Sequence, residues 1–548
     1  MNTNGDRLRI VVLSGPICAG KSTLAEKLCS RYRAQIIKTR DLIKQQLPKV
    51  EEERGALQRA GEKLDRVDGG AWVKNALVRL IEAIQGGATP TGLYVIDSVR
   101  ISGQLEAIRQ AYGTSVHHIH LNAPDAELES RYAGRGPKTK EYASYADVRR
   151  SRTERNVGAL EKLADVVVAT ERCTADAVLV RATALLGFYP RRTTPLVDVL
   201  IGGQYGSEGK GNIVGHIAPE YELLVRVGGP NAGHKVFAEP EPEVYHHLPS
   251  GTLRAPRAKL LLGAGAVLYP KRLLEEIAEH NVSVDRLSID PQAMVIEDAD
   301  RALEEKVLSA ISSTAQGVGA ASARKIMGRG GKSRPPVRLA KDVPELRPFV
   351  REVQQILEDA FVRGTRILLE GTQGTSLSIH HGQYPHVTSR DTTVAGCLSD
   401  AGIAATRVRR VIMVCRTYPI RVGDPIDQDG TSGPMDVPIT YEQLAERSGI
   451  GVEELKRIEK TTTTGKQRRL AEFDWKQLRR STLLNGPTDI ALTFADYIRI
   501  ENRDAYRFDQ LTPETLRFIE EIERVSGVPV NLISTNFGWR NVIDRRSW

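Results

Sequence analysis

The sequence predicts an α/β protein built from two parallel-sheet units, and three observations predict it. Apolar, strand-like runs alternate with helix-patterned stretches. Two Gly-rich loops, at 15–22 and 203–211, each follow an apolar run and open a helical one. The 548 residues are too many for one domain of about 150 and suit two or three. The pattern breaks near LLGFYPRRTTP (185–195), where two Pro flank basic residues and Thr. The expected division is a first domain over 1–190, a linker over 191–195 and a larger second domain over 196–548.

The elements follow in order. LRIVVLSG (8–15) is continuously apolar, as a buried parallel strand must be, and KSTLAEKLCSRY (21–32) has helical spacing. GLYVIDSVR (92–100), SVHHIHLNAP (115–124) and DVVVAT (165–170) complete the strands of the first domain. LVDVLIGG (196–203) starts the second. No internal repeat interrupts either.

Hydrophobic residues make up 41% and charged residues 26%, which excludes a disordered chain. No stretch reaches the roughly 18 apolar residues of a membrane span, and the N-terminal segment lacks a signal-peptide pattern. Five Cys, at 18, 29, 173, 397 and 415, show no metal or disulfide spacing, so reduced thiols in the cytoplasm are expected. The net charge of +9 fits phosphorylated small molecules as well as nucleic acid. With 5% aromatics and no basic stripe, nucleic-acid binding is the weaker reading.

Gly15-Pro-Ile-Cys-Ala-Gly20-Lys21-Ser22 is a full Walker A loop between a strand and a helix. Its N–H groups, with Thr23 just beyond, form a phosphate cradle. Lys21 reaches the β- and γ-phosphates, and the Ser22 hydroxyl ligates Mg²⁺. Further segments resemble the nucleoside monophosphate kinases. That resemblance implies acceptor-phosphate contacts for Arg40 and Arg100, and for Asp97 a role in organising Mg²⁺ water or the acceptor. It also implies an Arg-rich lid over 131–155 with Arg131, Arg135, Arg152 and Arg155. A solvated basic helix pair is the bland alternative for that lid.

Gly203-Gln-Tyr-Gly206-Ser207-Glu208-Gly209-Lys210-Gly211 is a second phosphate-loop candidate without the Walker spacing. After it come GGPNAGH (228–234), HHLPSG (246–251), SSTAQGVG (312–319), EGTQGTSLSIHHGQYPHVTS (370–389), RTYPIRVGD (416–424), TTTTGKQRRL (461–470), LTFADYI (492–498) and LISTNFGWR (532–540). In this order the motifs resemble adenylosuccinate synthetase across nearly all of 196–548. The resemblance implies phosphorylation of a purine O6 by ATP or GTP, then displacement of phosphate by the amino group of L-aspartate. It implies phosphate cradling by Gly206, Gly209, Lys210 and Gly211, acid catalysis by His234, and a Mg²⁺ ligand in the Gly233 carbonyl. Asn231 and Gln373 would contact the purine or the phosphorylated intermediate. Ser313, Thr314 and Thr388 would hold the acceptor 5′-phosphate region, and Thr464, Lys466, Arg468 and Arg469 the aspartate carboxylates. Asp496 would contact the donor base. A homodimer is implied, with Arg329 the residue reaching a partner site. The paired His246/His247 and His380/His381 read as packing or rim residues, because neighbours on a strand face opposite ways.

The chain departs from the family pattern at two places. Ser207 stands where the biosynthetic enzymes carry the Asp that removes the N1 proton of IMP, and a serine hydroxyl is a far weaker base. The PurZ-type enzymes of 2-aminoadenine-DNA phages carry Ser there and act on dGMP, so dGMP or GMP is preferred over IMP. Glu208 or a water is left to replace the base. Phe494 replaces a guanine-selecting Lys, so ATP or dATP becomes plausible beside GTP. The leading expectation is a bifunctional enzyme, a nucleotide kinase joined to an aspartate ligase. Rivals are an IMP-dependent synthetase of AMP formation and a nucleotide-sensing phage or anti-phage protein.

Overall fold

The computed structural model describes residues 8–51, 54–86, 92–135, 144–150, 152–184, 186–189, 194–425, 430–460, 465, 467–538 and 540–546. The chain divides into two compact units, Met1–Arg191 and Arg192–Trp548.

The first unit is a five-stranded parallel sheet. Its strands are β1 (Arg9–Ser14), β2 (Gln35–Ile37), β3 (Leu93–Ile96), β4 (Val116–Asn122) and β5 (Val166–Ala169), in the order β2-β3-β1-β4-β5. β2 is an addition to the strands expected from sequence. Ile10 and Val12 of β1 face one apolar layer, while Val11 and Leu13 face the other. Period-2 alternation thus fills both faces, which is why the strand reads as an unbroken apolar run. Helix α1 (Lys21–Tyr32) follows the first Gly loop over the expected residues.

The second unit centres on a nine-stranded sheet. Its strands are β6 (Val197–Gly202), β7 (Leu223–Arg226), β8 (Lys259–Leu262), β9 (Leu287–Ile289), β10 (Ile367–Gly374), β11 (Val408–Arg416), β12 (Asp489–Thr493), β13 (Val530–Ser534) and β14 (Val542–Asp544). They lie in the order β9-β8-β7-β10-β6-β11-β12-β13-β14, and only the β13–β14 pair is antiparallel. Leu200 packs on one side of the sheet, and Val197, Val199 and Ile201 on the other. The segments after β6, β10, β11 and β12 leave from carboxyl ends of parallel strands, where such sheets bind ligands. Among the described residues, no helix is long and apolar enough to cross a membrane.

Candidate active site

The loop after β6 enters helix α2 (Lys210–Ile217). It folds around its own carboxylate. Glu208 Oε1 accepts from the N–H groups of Gln204 (3.0 Å) and Gly206 (2.7 Å), and Lys210 Nζ donates to Oε2 at 2.8 Å. Both side chains are buried. Lys210 also donates to the Gly206 carbonyl at 3.0 Å, so its ammonium lies inside the loop, short of the open space where phosphate would sit. Of the two candidates for the missing base, Glu208 has its oxygens committed to Gln204 N, Gly206 N and Lys210 Nζ within the loop, which leaves a water. Gly211 lacks the Cβ that would press on the Lys235 carbonyl at 2.7 Å, and this brings α2 against the segment bearing His234.

His234 is buried, and its Nδ1 lies 2.5 Å from Oε1 of Glu370 in β10. Arg226 Nη1 donates to the same oxygen at 3.2 Å, the Ser250 hydroxyl also bonds it, and Ser250 N donates to Oε2 at 2.7 Å. The neighbouring cation and hydrogen bonds outweigh burial and hold the Glu370 carboxyl down at about 2. Burial, with Arg226, lowers the His234 imidazole to about 4, so it is neutral at pH 7 with Nδ1–H donating to Glu370. Its other nitrogen, Nε2, is buried with no hydrogen-bond partner, and so is Oδ1 of Asn231. Orphaned buried polar atoms on two residues of one cleft mark the place of a polar ligand.

Both residues line a cleft of ≈ 180 Å³. The cleft gathers Gly206, Ser207, Asn231, Gly233, His234, Ser313, Thr314, Gln373, Thr388 and Arg468 from segments far apart in sequence. Gln373 adopts a left-handed backbone (φ 64°) and donates from Nε2 to Thr388 Oγ1 at 2.7 Å. A non-glycine residue held there is a strained position of the kind found at ligand sites. Among the described lining residues there is no Asp or Glu.

The remaining predicted residues separate. Arg469 is held at the cleft's rim, donating to Asp424 (3.0 Å), to Oγ of the lining Ser432 (3.1 Å) and to the Gly433 carbonyl (2.8 Å). Thr464 and Lys466 lie outside the described residues. Asp496 follows β12, buried beside Arg503 at 3.4 Å, and desolvation raises its carboxyl to about 6. A Cβ at Gly209 would come within 3.5 Å of the Phe494 ring, which places the Asp496 segment against the loop. Arg329 is exposed and donates to the Ile326 carbonyl at 2.8 Å. His247 is buried and accepts from Tyr269 N at 3.3 Å, a packing role.

In the first unit, Lys21 Nζ donates to the carbonyls of Gly15 (2.6 Å) and Pro16 (2.7 Å), with Ser22 and Thr23 exposed beside it. Gly20 caps α1 with φ 95°. A carboxylate from helix Arg152–Val157 fills the loop mouth: Glu154 accepts from Ile17 N at 3.0 Å and from Arg100 Nη1 at 2.7 Å. Arg131 is anchored to Glu127, Thr170 and the Cys18 carbonyl, so it braces the loop where a mobile lid cation was expected. Asp97 Oδ1 accepts from Thr39 N at 3.0 Å and Thr39 Oγ1 at 3.1 Å, and the exposed Arg40 sits 3.5 Å from Asp41. Arg135 lies over the Tyr132 ring, Arg155 is exposed, and the Arg152 side chain is outside the described set.

Sequence reasoning passed over Glu370, Arg226, Ser250, Arg416 and Arg421. A charged residue within or at the end of a buried strand (Glu370 in ILLEGTQG, Arg226 in LLVR) was the available signal for the first two.

A polar cleft at the carboxyl edge of a parallel sheet, with an orphaned imidazole nitrogen and guanidinium groups, is suited to an anionic ligand, and a P-loop unit precedes it in sequence. Residues 199–335 and 337–503 match the family model for adenylosuccinate synthetase, and residues 10–161 match an AAA-domain model. The adenylosuccinate synthetase of Pyrococcus horikoshii is 36% identical over 357 residues, covering 64% of this chain and 98% of that protein. That of Thermococcus onnurineus is 38% identical over 361 residues, covering 64% and 98%. Among solved structures, the cyanophage S-2L succinoaminodeoxyadenylate synthetase bound to dGMP and dATP superposes with a TM-score of 0.54 at 29% identity, over 65% of this chain and 96% of that one. The Plasmodium falciparum adenylosuccinate synthetase shares the fold, with a TM-score of 0.55 at 23% identity over 64% and 100%. The chain belongs to the adenylosuccinate synthetase family and carries a kinase-like P-loop unit on its N-terminal side.

Proposed function

We propose that the second unit joins L-aspartate to C6 of a 2-aminopurine nucleotide, with dGMP preferred over IMP. The γ-phosphoryl group of a nucleoside triphosphate goes to O6 as its bond to the β-phosphate oxygen breaks, the nucleoside diphosphate leaves and the N1 proton passes to water. The aspartate amine then forms the C6–N bond as the C6–O bond breaks, releasing inorganic phosphate and leaving an N6-succinyl-2-aminoadenylate. One observation carries the choice of purine. Ser207 lines a cleft whose described lining holds no Asp or Glu, and the group that separates guanine from hypoxanthine is the 2-amino group on C2. The Ser207 hydroxyl can accept a hydrogen bond from that group. The solved dGMP complex of the cyanophage enzyme supports this reading. The archaeal relatives, named adenylosuccinate synthetase, favour the rival IMP reading.

His234 is poised as the acid. A phosphate dianion placed against Nε2 raises the imidazole pKa, and Glu370 stabilises the cation from the Nδ1 side. Asn231 and Gln373 position the purine, Ser313, Thr314 and Thr388 its 5′-phosphate, and Arg468 an aspartate carboxylate. The Gly233 carbonyl and the donor's phosphates suit Mg²⁺, which often rests on substrate phosphates. The ion, when bound, offsets charge on the transferring group. In the first unit, the Walker loop with Lys21 and Ser22 binds ATP for phosphoryl transfer to a (deoxy)nucleotide, with Mg²⁺ on Ser22. The donor for the ligase is ATP or dATP, in keeping with Phe494 beside the loop and the dATP of the cyanophage complex.

Mass spectrometry of products from dGMP, GMP, dIMP and IMP, each with aspartate and ATP or GTP, tests the assignment. A succinyl adduct on dGMP is expected. Adducts on IMP alone overturn it. Ser207→Asp should shift turnover toward IMP.

A further inference from the structure

Beneath the cleft three buried groups form an ion triad. Arg416, at the end of β11, donates from Nη2 to Oε1 of Glu459 at 2.6 Å, and Arg468 donates from Nη1 to Oε2 at 3.3 Å. The Tyr497 hydroxyl donates to Oε1 at 2.7 Å. Glu459 and Arg416 are fully buried, whereas the Arg468 side chain keeps 16% of its surface and lines the cleft. Arg416 is fixed on its other sides by the Ser207 carbonyl (Nη1, 3.2 Å) and by the Phe494 ring, 3.8 Å from the guanidinium carbon.

Two guanidiniums share one carboxylate, so the trio is one positive charge in excess. The adjoining buried pair, Lys210 with Glu208, is neutral in sum, and Asp496, whose charge also acts on Arg416, shares the Arg503 cation with Glu454. The opening left for a ligand is therefore at Arg468. The Nε of Arg468 is itself buried without a hydrogen-bond partner. Glu459 follows the helix Val452–Ile458: Lys460 bridges to Gln467, and Arg468 N donates to the Glu459 carbonyl at 3.0 Å. The side chain that aims Arg468 therefore sits at the root of the 461–466 segment.

We propose that Glu459 is the positioning residue of the amino-acid subsite. It orients Arg468 toward the cleft without touching the substrate, and an incoming carboxylate meets the side of the Arg468 guanidinium that Glu459 leaves open. This rests on the reading of aspartate as the nucleophile. Because Arg416 is sequestered by Glu459, Ser207 and Phe494, Arg468 is the guanidinium presented to the cleft.

Initial rates of the full chain with dGMP and ATP saturating and aspartate varied test this in Glu459→Gln, which keeps the side-chain shape and removes the charge. The KM for aspartate is expected to rise about tenfold or more, the loss typical of a charge-assisted contact. kcat and the KM for dGMP should move less than about threefold. An unchanged aspartate KM, or all three parameters shifting together, overturns the proposal. Should that variant fail to fold, Tyr497→Phe removes only a hydroxyl that steadies Glu459. It should raise the aspartate KM alone by about two- to fivefold, and no change overturns the proposal. Wild-type protein that makes no aspartate adduct refutes the ligase reading itself. An active wild type with an indifferent Glu459→Gln refutes only the positioning role.

Discussion

Glu370→Gln is a near-isosteric change at the most densely committed carboxylate of the ligase unit. The native side chain is buried and receives His234 Nδ1 at 2.5 Å, Arg226 Nη1 at 3.2 Å and Ser250 N at 2.7 Å. An amide supplies one acceptor oxygen where the carboxylate supplied two, and its NH₂ meets at least one of these donors head-on. It also leaves the Arg226 guanidinium, 2% exposed, without its counter-charge. Removing one partner of such a buried pair costs about 3–5 kcal/mol, so a lower melting temperature is expected. The catalytic effect is separate. Without the carboxylate, nothing stabilises the imidazolium that His234 must form to donate a proton. Loss of general acid catalysis costs about 10²–10⁴ in kcat. The assay is single-turnover ligation at saturating substrates, on Glu370→Gln, His234→Asn and the double variant. If the pair acts as a unit, the double variant is no slower than His234→Asn alone. A folded Glu370→Gln protein that keeps wild-type kcat, or additive losses in the double variant, refutes the dyad.

Three other outcomes are expected. Glu154→Ala releases the Ile17 N–H and Arg100, so ATP binding to the P-loop unit, measured by calorimetry, should tighten by about tenfold, and equal or weaker binding counts against the carboxylate as a phosphate surrogate. Gly15→Ala places a Cβ 2.0 Å from the Leu121 carbonyl at φ 133°, which should destabilise the first unit by more than about 3 kcal/mol in denaturant titration, and an unchanged midpoint contradicts the geometry. The buried histidines set the acid response: His234 is lowered to about 4 and His247 to about 3, both chiefly by burial. Between pH 6.5 and 4 the unfolded chain therefore binds protons that the folded one does not, and stability falls as pH drops through that window, by ~3 kcal/mol for His234 alone. Glu370, lowered to about 2, adds to the loss only below about pH 4.5. Thermal melts with equal midpoints at pH 7.5 and pH 5 contradict the neutral buried state.

The strands were legible because β1 and β6 are buried on both faces and so read as unbroken apolar runs. β2 was not, since three residues, QII, ahead of a polar helix give periodicity nothing to work on. The cleft residues were legible as motifs, and the structure brings ten of them together across some 260 positions. Their supports were hidden by distance along the chain. Glu370 meets Arg226 from 144 residues away and His234 from 136, and Arg416 meets Glu459 from 43. No local pattern encodes such a pairing. What sequence does offer is the anomaly of a charge inside a buried strand, which cannot persist unpaired.

The two glycine loops show why motif and mechanism are different levels of evidence. Both place a Lys at the first residue of a helix after a left-handed Gly, Gly20 before Lys21 and Gly209 before Lys210. In the Walker loop that Lys caps backbone carbonyls, and the loop's counter-anion, Glu154, comes from a separate helix 137 residues from Ile17. In the second loop the anion is internal, two residues from the Lys it binds, and fully buried. A phosphate can displace the first carboxylate by moving a helix, whereas displacing the second would dismantle the loop itself. The Walker loop is thus built to exchange its anion. The second loop is held by its own ion pair, and in the proposed reaction binding energy there goes into orienting groups at the rim, Ser207 and Gly206, against the purine and its phosphoryl donor.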